Sequence, residues 1–236
     1  MALPPIDILT NTKELSVLQL QILGSNNLIP SFFELVSTLF GRVVVVNAVI
    51  NWLVVSSVWF TEIFRHRFTV RNVTLMVLVF GLASIYGTYS GVDISGAVAN
   101  TSELAPMIAG LVGGPLIGLA VGLIGGIHRY FLGGLTALPC SLTIVLSGLI
   151  AGLIYVANKR EFIGTVNAVV FVAFIELLHM LLTLALSRPF SEAISVVERV
   201  GLPMIIANCL GMLIFGVILS NYKRRNESQL SRSGFP

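Results

Sequence analysis

The stretch 97–152 limits the fold of this chain more than any other part of the sequence. It is a long apolar run in which glycine recurs at positions 110, 114, 118, 122 and 126, with a proline at 115 and one His-Arg-Tyr triplet beginning at residue 128. Neither a soluble core nor a simple membrane anchor requires this combination. A membrane protein with a shaped, partly polar interior does require it.

The composition places the chain in the lipid bilayer. Hydrophobic residues make up 56% of the 236 residues and charged residues 11%, and the mean hydropathy is +0.94. A soluble domain carries roughly 25% charged residues. Because lipid satisfies no backbone hydrogen bonds, apolar runs of about 20 residues must be helices. We therefore predict an all-α, polytopic membrane helical bundle. Nucleic acid is not an expected partner, since no basic patch interleaves with aromatic residues.

Hydropathy divides the chain into three regions. Residues 1–38 form an N-terminal extension, in which SFFELVSTLF is a candidate interfacial or lead-in helix; 39–222 form the transmembrane domain, and 223–236 form a short cytoplasmic tail without a catalytic domain. The segment SGVDISGAVANTSE is predicted to be a polar connection, and SRPFSEAISVVER an amphipathic connection to the last span. The apolar spans are predicted at about 43–60, 73–89, 104–127, 138–157, 163–186 and 201–220.

The third apolar run is long enough for one helix, but Gly113-Gly114-Pro115 argues that it is two. A proline inside a helix costs about 3 kcal/mol, and glycines before it add to that cost. Each half is too short to cross alone, so the pair should form a helical hairpin buried among its neighbours. The prediction is thus six to seven transmembrane segments, including this short Gly-Pro-broken hairpin.

The distribution of lysine and arginine supports the break. An unbroken helix would divide these residues almost evenly between the two sides of the membrane, whereas a hairpin concentrates them on one side. The richer side then holds Arg65, Arg67, Arg71, Lys159, Arg160, Lys223, Arg224, Arg225 and Arg232. The other side holds Lys13, Arg129, Arg188 and Arg199. By the positive-inside rule, the C-terminus is predicted to be cytoplasmic and the N-terminus outside.

Glycines spaced four residues apart form stripes on two of the predicted helices. Gly118, Gly122 and Gly126 share one helix face, and Gly148 and Gly152 share another. Such stripes let helix backbones approach closely in lipid. They predict tight packing of the bundle and do not identify a ligand.

Arg129 is the most informative charged residue, because the hairpin places it, beside His128, at the outer end of a short helix. A guanidinium at membrane depth usually faces a cavity or a partner, and its planar fork suits a carboxylate or a phosphate. An arginine that snorkels to the headgroups is the alternative. A ligand pocket is favoured by the small polar residues predicted at the same level, which are Asn100, Ser102, Thr136, Cys140, Ser141 and Thr143.

Glu176 and His179 lie three residues apart, on one face of the fifth span. An acid inside the membrane is a functional candidate, and a structural hydrogen bond to Asn208 or to an arginine is the alternative. These three residues are a candidate intramembrane polar network. Asp93 and Glu103 are predicted to be solvated loop residues, and no metal site or cofactor is predicted.

No motif in the chain predicts catalysis. We find no P-loop, no H-E-x-x-H, no G-x-S-x-G and no soluble segment long enough for a catalytic domain. The two cysteines, Cys140 and Cys209, lie in apolar runs, so a disulfide is not expected. Cys140 is either a redox thiol or a small apolar residue.

The run GLVGGPLIGLAVGLIGGIHRYFLGGLTALPCSLTIVLSGLIAGLI resembles the LytS/YhcK-type transmembrane receptor domain. The resemblance covers about residues 45–220, and ELLHM, ALSRPF and PMIIANCLG also resemble the family. It implies the sensory input of LytS-class histidine kinases or of diguanylate cyclases, in the plasma membrane and as a homodimer. Such domains are linked with cell-wall and autolysis control and with sensing of small carboxylates.

The resemblance also implies site residues. Arg129, Cys140 and Thr143 match positions of a ligand pocket, whereas Ser102 stands where family members commonly carry a second arginine. In the kinases a catalytic module follows the last helix, but only a short tail follows it here. We therefore expect a kinase or response-regulator module, on the same or another chain, as the partner.

Together these features predict a membrane receptor of a two-component (phosphorelay) system. A small anionic solute would pair with Arg129, accept hydrogen bonds from Thr143 and Ser102, and contact Cys140. The last helix would pass the resulting shift to the cytoplasm. The glycine-proline hairpin is also similar to the substrate-binding subunits of energy-coupling-factor vitamin transporters. The alternative is therefore a solute-binding subunit of a transporter.

Overall fold

The computed structural model describes residues 32–57, 60, 62–63, 67–94 and 96–232, with side chains for all of these except 50–51, 53–56 and 226–232. The predicted extension therefore lies outside the described residues up to position 31. The described helices and strands are, in chain order, α1 Phe32–Ser56, α2 Val70–Tyr89, β1 Val92–Ile94, β2 Ala97–Ala99, α3 Leu104–Gly113, α4 Pro115–Phe131, α5 Ala137–Ala157, α6 Thr165–Leu186 and α7 Phe190–Arg232.

Five of the described helices, α1, α2, α5, α6 and α7, are long and apolar enough to cross a membrane. The remaining two, α3 and α4, are shorter apolar helices. Large apolar side chains such as Trp52, Leu82, Phe131 and Leu181 are exposed on the outside of the bundle, where lipid would surround them. The prediction of a polytopic membrane helical bundle is confirmed.

The predicted break in the third apolar run is also confirmed. Gly114 has φ +90° and separates α3 from α4, a backbone conformation that favours glycine. Pro115 occupies the first position of α4, where its missing N–H costs no helical hydrogen bond. All of α3 from Leu104 to Val112 is buried. At the break itself Gly114 is buried, and Gly113 and Pro115 are half-buried.

The glycine stripes bring the backbones of α3, α4 and α5 into direct contact. A Cβ atom built on Gly118 would collide with the Gly148 carbonyl oxygen, and one built on Gly148 would collide with the Gly118 carbonyl oxygen. A Cβ on Gly152 would collide with the backbone of Pro115. No side chain fits between these segments, which confirms the predicted close packing.

Two hydrophobic clusters fill the interior. The larger one surrounds α3 and includes residues of α1, α2, α4, α5, α6 and α7. The smaller one lies against the two strands and includes Leu39, Ile94, Ala99, Met180 and Val196. This second cluster packs the β-strands against α1, α6 and α7. Several of its residues also line the pocket described below.

The predicted polar connection contains two short β-strands. It contains an antiparallel pair with the register Val92↔Ala99, Asp93↔Val98 and Ile94↔Ala97. The Gly96 N–H donates to the Asp93 carboxylate at 3.1 Å, and Leu135 N–H donates to the Gly96 carbonyl at 3.0 Å. The second of these bonds ties the strands to the connection between α4 and α5.

Two helices begin earlier than hydropathy predicts. α1 starts at Phe32, inside the predicted extension, and continues through Arg42. α7 starts at Phe190, so the predicted amphipathic connection forms the first turns of a 43-residue helix. The early turns of α7 bury Val196 and Val200 on one side and expose Glu192, Glu198 and Arg199 on the other, and these charged residues lower the average hydropathy of the segment.

The glycine contact can be tested by adding one methyl group. Gly118→Ala should lower the free energy of unfolding by about 1–3 kcal/mol, because the new Cβ meets backbone that has no room to move. The matched control is Gly41→Ala in α1, where nothing lies within 4 Å of the added atom. Thermal unfolding of the two purified variants in detergent measures the difference. Equal stabilities would contradict the contact.

Candidate functional site

Arg129 is fully buried in the last turn of α4, with 0% of its surface exposed. Its two terminal nitrogens donate to the Gly133 carbonyl at 2.8 Å and to Thr136 Oγ1 at 3.0 Å, while Nε has no partner. Among the described residues no carboxylate forms an ion pair with it. The C-terminal end of a helix favours a cation. The other groups that contact the Arg129 guanidinium, the Gly133 carbonyl and the Thr136 hydroxyl, are neutral.

A small pocket adjoins Thr136. It has a volume of about 10 Å³, which is room for one water molecule. It lies between β2, α5, α6 and α7 and is lined by Ala97, Val98, Thr136, Cys140, His179, Met180, Thr183, Val196, Val200 and Met204. The pocket therefore has no room for a solute larger than water in this structure. The elements that bound it are distant in the sequence.

Cys140 and His179 meet in the wall of this pocket. The Cys140 Sγ lies 3.1 Å from His179 Nε2, and both side chains are buried. The two residues are 39 positions apart and belong to α5 and α6. Cys140 is thus a polar partner of a histidine, which neither of the sequence interpretations of this residue included.

An acidic cluster lies on the other side of the His179 ring. His179 Nδ1 is 2.7 Å from Glu103 Oε1 and 3.9 Å from Glu176 Oε2. Glu176 Oε1 accepts a hydrogen bond from Asn208 Nδ2 at 2.5 Å. None of the four residues exceeds 2% exposure. The structure therefore brings Glu176, His179 and Asn208 together, and it adds Glu103.

The prediction that Glu103 is a solvated loop residue was wrong. Glu103 directly precedes Leu104, the first residue of a helix that is buried on all sides, so its side chain enters the bundle with that helix. The position of an acid directly before a wholly apolar run could have indicated that Glu103 is buried. Asp93 is exposed, as expected of a solvated residue.

Three other predicted pocket residues make hydrogen bonds of their own. Ser102 Oγ donates to Asn100 Oδ1 at 2.6 Å, and Asn100 Nδ2 donates to the Val98 carbonyl at 2.9 Å. Thr143 donates to the Pro139 carbonyl of its own helix at 2.8 Å. None of these three residues lines the small pocket.

His128 is half-buried and also lies outside the lining of the pocket. Of the predicted ligand-binding residues, the structure thus places Thr136 and Cys140 in the pocket wall and Arg129 against Thr136. The role of each of them in ligand binding stays a prediction.

The bond between Asn208 and Glu176 should contribute to stability. Asn208→Leu keeps the approximate volume but leaves a buried carboxylate oxygen without its donor, so we expect a loss of about 1–3 kcal/mol in the free energy of unfolding. Asn167→Leu, at an exposed position of α6, is the matched control and should change stability little. Thermal unfolding in detergent compares the two. A similar small effect for both variants would show that the bond is not stabilising.

The fold and these buried groups define a class of protein, namely a helical membrane protein with a polar interior at one end of the bundle. Comparison with known proteins identifies the family. Residues 57–222 match the family model described as 5TMR of 5TMR-LYT. The chain belongs to this family of LytS-type transmembrane receptor domains, which confirms the resemblance found in the sequence.

Curated relatives cover most of this chain. It is 34% identical over 192 residues to the sensor histidine kinase BtsS of Escherichia coli K12, covering 78% of this chain and 34% of that protein. It is 31% identical over 197 residues to the sensor protein LytS of Bacillus subtilis, covering 76% and 33%. The sensor histidine kinase YpdA of Escherichia coli K12 is 29% identical over 168 residues, covering 69% and 29%.

The chain thus spans about a third of the length of the relatives it matches. No solved structure matches it. BtsS and YpdA are named sensor histidine kinases and LytS a sensor protein. The chain itself is a multi-pass plasma-membrane protein of this receptor-domain family.

Proposed function

We propose that this chain is the sensory region of a two-component system and binds a small extracellular anion beside Arg129. The observation that carries the proposal is the burial of Arg129 without an acidic partner among the described residues. A buried charge without a counter-charge is costly, and a bound carboxylate would supply one. The planar guanidinium, which has an unused Nε, suits a carboxylate in particular.

Helix α5 adds to the attraction for an anion. It begins at Ala137, directly after Thr136, and Thr136 makes no side-chain cap hydrogen bond. The N-terminal end of a helix carries a partial positive charge, which favours an anion. Arg129, Thr136 and the first turn of α5 therefore present positive potential to one small region.

Signalling would follow from an opening of the small pocket by the ligand. A solute larger than one water has to displace the side chains of the lining, and these include Val196, Val200 and Met204 of α7. A ligand that binds only an opened arrangement shifts the population toward it. Because α7 extends to Arg232 with only Pro203 inside it, a displacement of its first turns would be passed through this proline to the far end of the helix.

The cytoplasmic side is proposed to be the one that holds the end of α7. The basic residues Lys159, Arg160, Lys223, Arg224 and Arg225 lie at that end of the bundle, in agreement with the positive-inside rule. We propose that a kinase or response-regulator module, on the same or another chain, receives the signal there. Since histidine kinases are the relatives, a homodimer is the proposed functional state.

Arg129→Gln tests the binding proposal. Loss of a charge-assisted bond of 1.5–3 kcal/mol should weaken binding about 10- to 150-fold. Isothermal titration of the purified protein with acetate, lactate, succinate and inorganic phosphate measures this and identifies the preferred class of anion.

Arg188→Gln is the control, because Arg188 is an exposed arginine with bonds only to nearby carbonyls. It should bind as the unmodified protein does. If Arg129→Gln retains the full affinity for the anion that binds, Arg129 is not part of the site. If none of the four anions binds, the proposed ligand class is wrong.

Topology can be tested with two exposed positions at opposite ends of the bundle. A cysteine replacing Asp93 should react with a membrane-impermeant maleimide on intact cells, whereas one replacing Glu161 should react only after lysis. The unmodified protein, whose Cys140 is buried and Cys209 half-buried, gives the background. Labelling of both positions from the same side would refute the proposed arrangement.

A further inference from the structure

We propose that Glu103, Glu176 and His179 form a binding site for one divalent transition-metal ion, with Zn²⁺ as the representative. The site is distinct from the proposed anion site, and the proposal does not depend on it. The three residues come from the segment before α3 and from α6, so the fold and not a sequence motif brings them together. No metal site was predicted from the sequence, because Glu103 was assigned to solvent.

The donor atoms are close together, and two of them already form an ion pair. One ligand atom from each residue lies within 4.8 Å of the others. His179 Nδ1 pairs with Glu103 Oε1 at 2.7 Å, whereas Glu103 Oε2 and Glu176 Oε2 have no hydrogen-bond partner. Tetrahedral ligands with bonds of about 2.1 Å are separated by roughly 3.4 Å, so an ion would widen the 2.7 Å pair and draw in Glu176 Oε2 from its 3.9 Å distance to Nδ1.

The charge of the cluster also calls for a cation. Two carboxylates are buried within reach of each other, at 1% and 0% exposure, and the imidazole can supply at most one positive charge. Buried charges in proteins are paired or coordinate metals, because an uncompensated charge costs several kcal/mol in a low-dielectric interior. A divalent ion would neutralise both carboxylates at once and would replace the ion pair between His179 and Glu103.

The surrounding groups have the arrangement of an outer coordination shell. A metal-bound histidine usually holds its second ring nitrogen in a hydrogen bond, and here Nε2 of His179 lies 3.1 Å from Cys140 Sγ. A metal-bound carboxylate is usually oriented by a donor, and here Asn208 donates to Glu176 at 2.5 Å. The contacts with Cys140 and Asn208 therefore leave His179 Nδ1 and Glu176 Oε2 as the atoms that would coordinate the ion.

The kind of metal follows from the donors. Imidazole suits zinc and other first-row transition metals, whereas Ca²⁺ and Mg²⁺ prefer oxygen ligands only. Three protein ligands leave a position for a fourth group, and Asn208 Oδ1 is a further buried atom without a partner. Cys140 contacts His179 and also lines the small pocket, so the metal site and the pocket share a wall.

Metal analysis of the purified protein tests the site directly. The full chain in detergent is stripped with a chelator, loaded with ZnSO₄, desalted and analysed for zinc by mass spectrometry. One ion per chain is expected. Glu103→Gln, Glu176→Gln and His179→Gln should each weaken Zn²⁺ binding by at least about 100-fold, since loss of an outer-shell partner alone costs 10- to 100-fold.

Matched controls separate the site from general effects of the substitutions. Glu192→Gln removes an exposed acid and His128→Gln a half-buried histidine, and both should bind Zn²⁺ as the unmodified protein does. Should the triad variants fail to fold, visible absorption of the unmodified protein loaded with Co²⁺ decides the question. Ligand-field bands that disappear on addition of one equivalent of Zn²⁺ would support the site.

Three results would overturn the proposal. The stripped protein would retain no stoichiometric zinc after loading, the triad variants would bind zinc as tightly as the controls, or the Co²⁺-loaded protein would show only the spectrum of the free aqueous ion. In each of these cases protons, and not a metal ion, compensate the two buried carboxylates.

Discussion

A helix that stops inside a bilayer exposes backbone groups that lipid does not satisfy, and the way this chain covers such a break determines its architecture. The glycines of α4 and α5 bring backbone against backbone, so the turn at Gly114 is enclosed by protein. Because the turn is covered, α3 can be buried, and α4 returns toward the end of the bundle at which α3 begins. Arg129 reaches its position for this reason.

The polar groups of the interior form one connected series. Arg129 donates to Thr136, Thr136 lies one helical turn before Cys140, Cys140 contacts His179, and His179 lies beside Glu103. The cationic end and the acidic end of this series are thus separated by a thiol and an imidazole. Arg129 is therefore not in direct contact with either buried carboxylate.

Local signals predicted much of the fold. The helix break at Gly113-Gly114-Pro115 follows from the cost of these residues in any helix, and the glycine stripes follow from helical periodicity alone. Neither of these inferences needs information about the rest of the chain.

The parts of the site that were missed depend on distant contacts. Nothing near Cys140 indicates a partner 39 residues away, and Glu103 is buried only because α3 is enclosed by other helices. The first turns of α7 were predicted as an amphipathic connection because Glu192, Glu198 and Arg199 interrupt their apolar residues, and the β-strands against which Val196 and Val200 pack are distant in the sequence. The predicted hairpin placed Arg129 at the end of a short helix and Thr136 at the same level, and these two residues are hydrogen-bonded in the structure.

The length of α7 has a mechanical consequence. A helix of 43 residues is roughly 64 Å long, about twice the thickness of the hydrocarbon core. A tilt of about 5° around its first turn would therefore displace the opposite end by roughly 5 Å, close to the rise of one helical turn. If α7 moves as one body through Pro203, as the proposed signalling requires, a rearrangement the size of a side-chain displacement around Val196 and Val200 would produce a larger displacement at the opposite end.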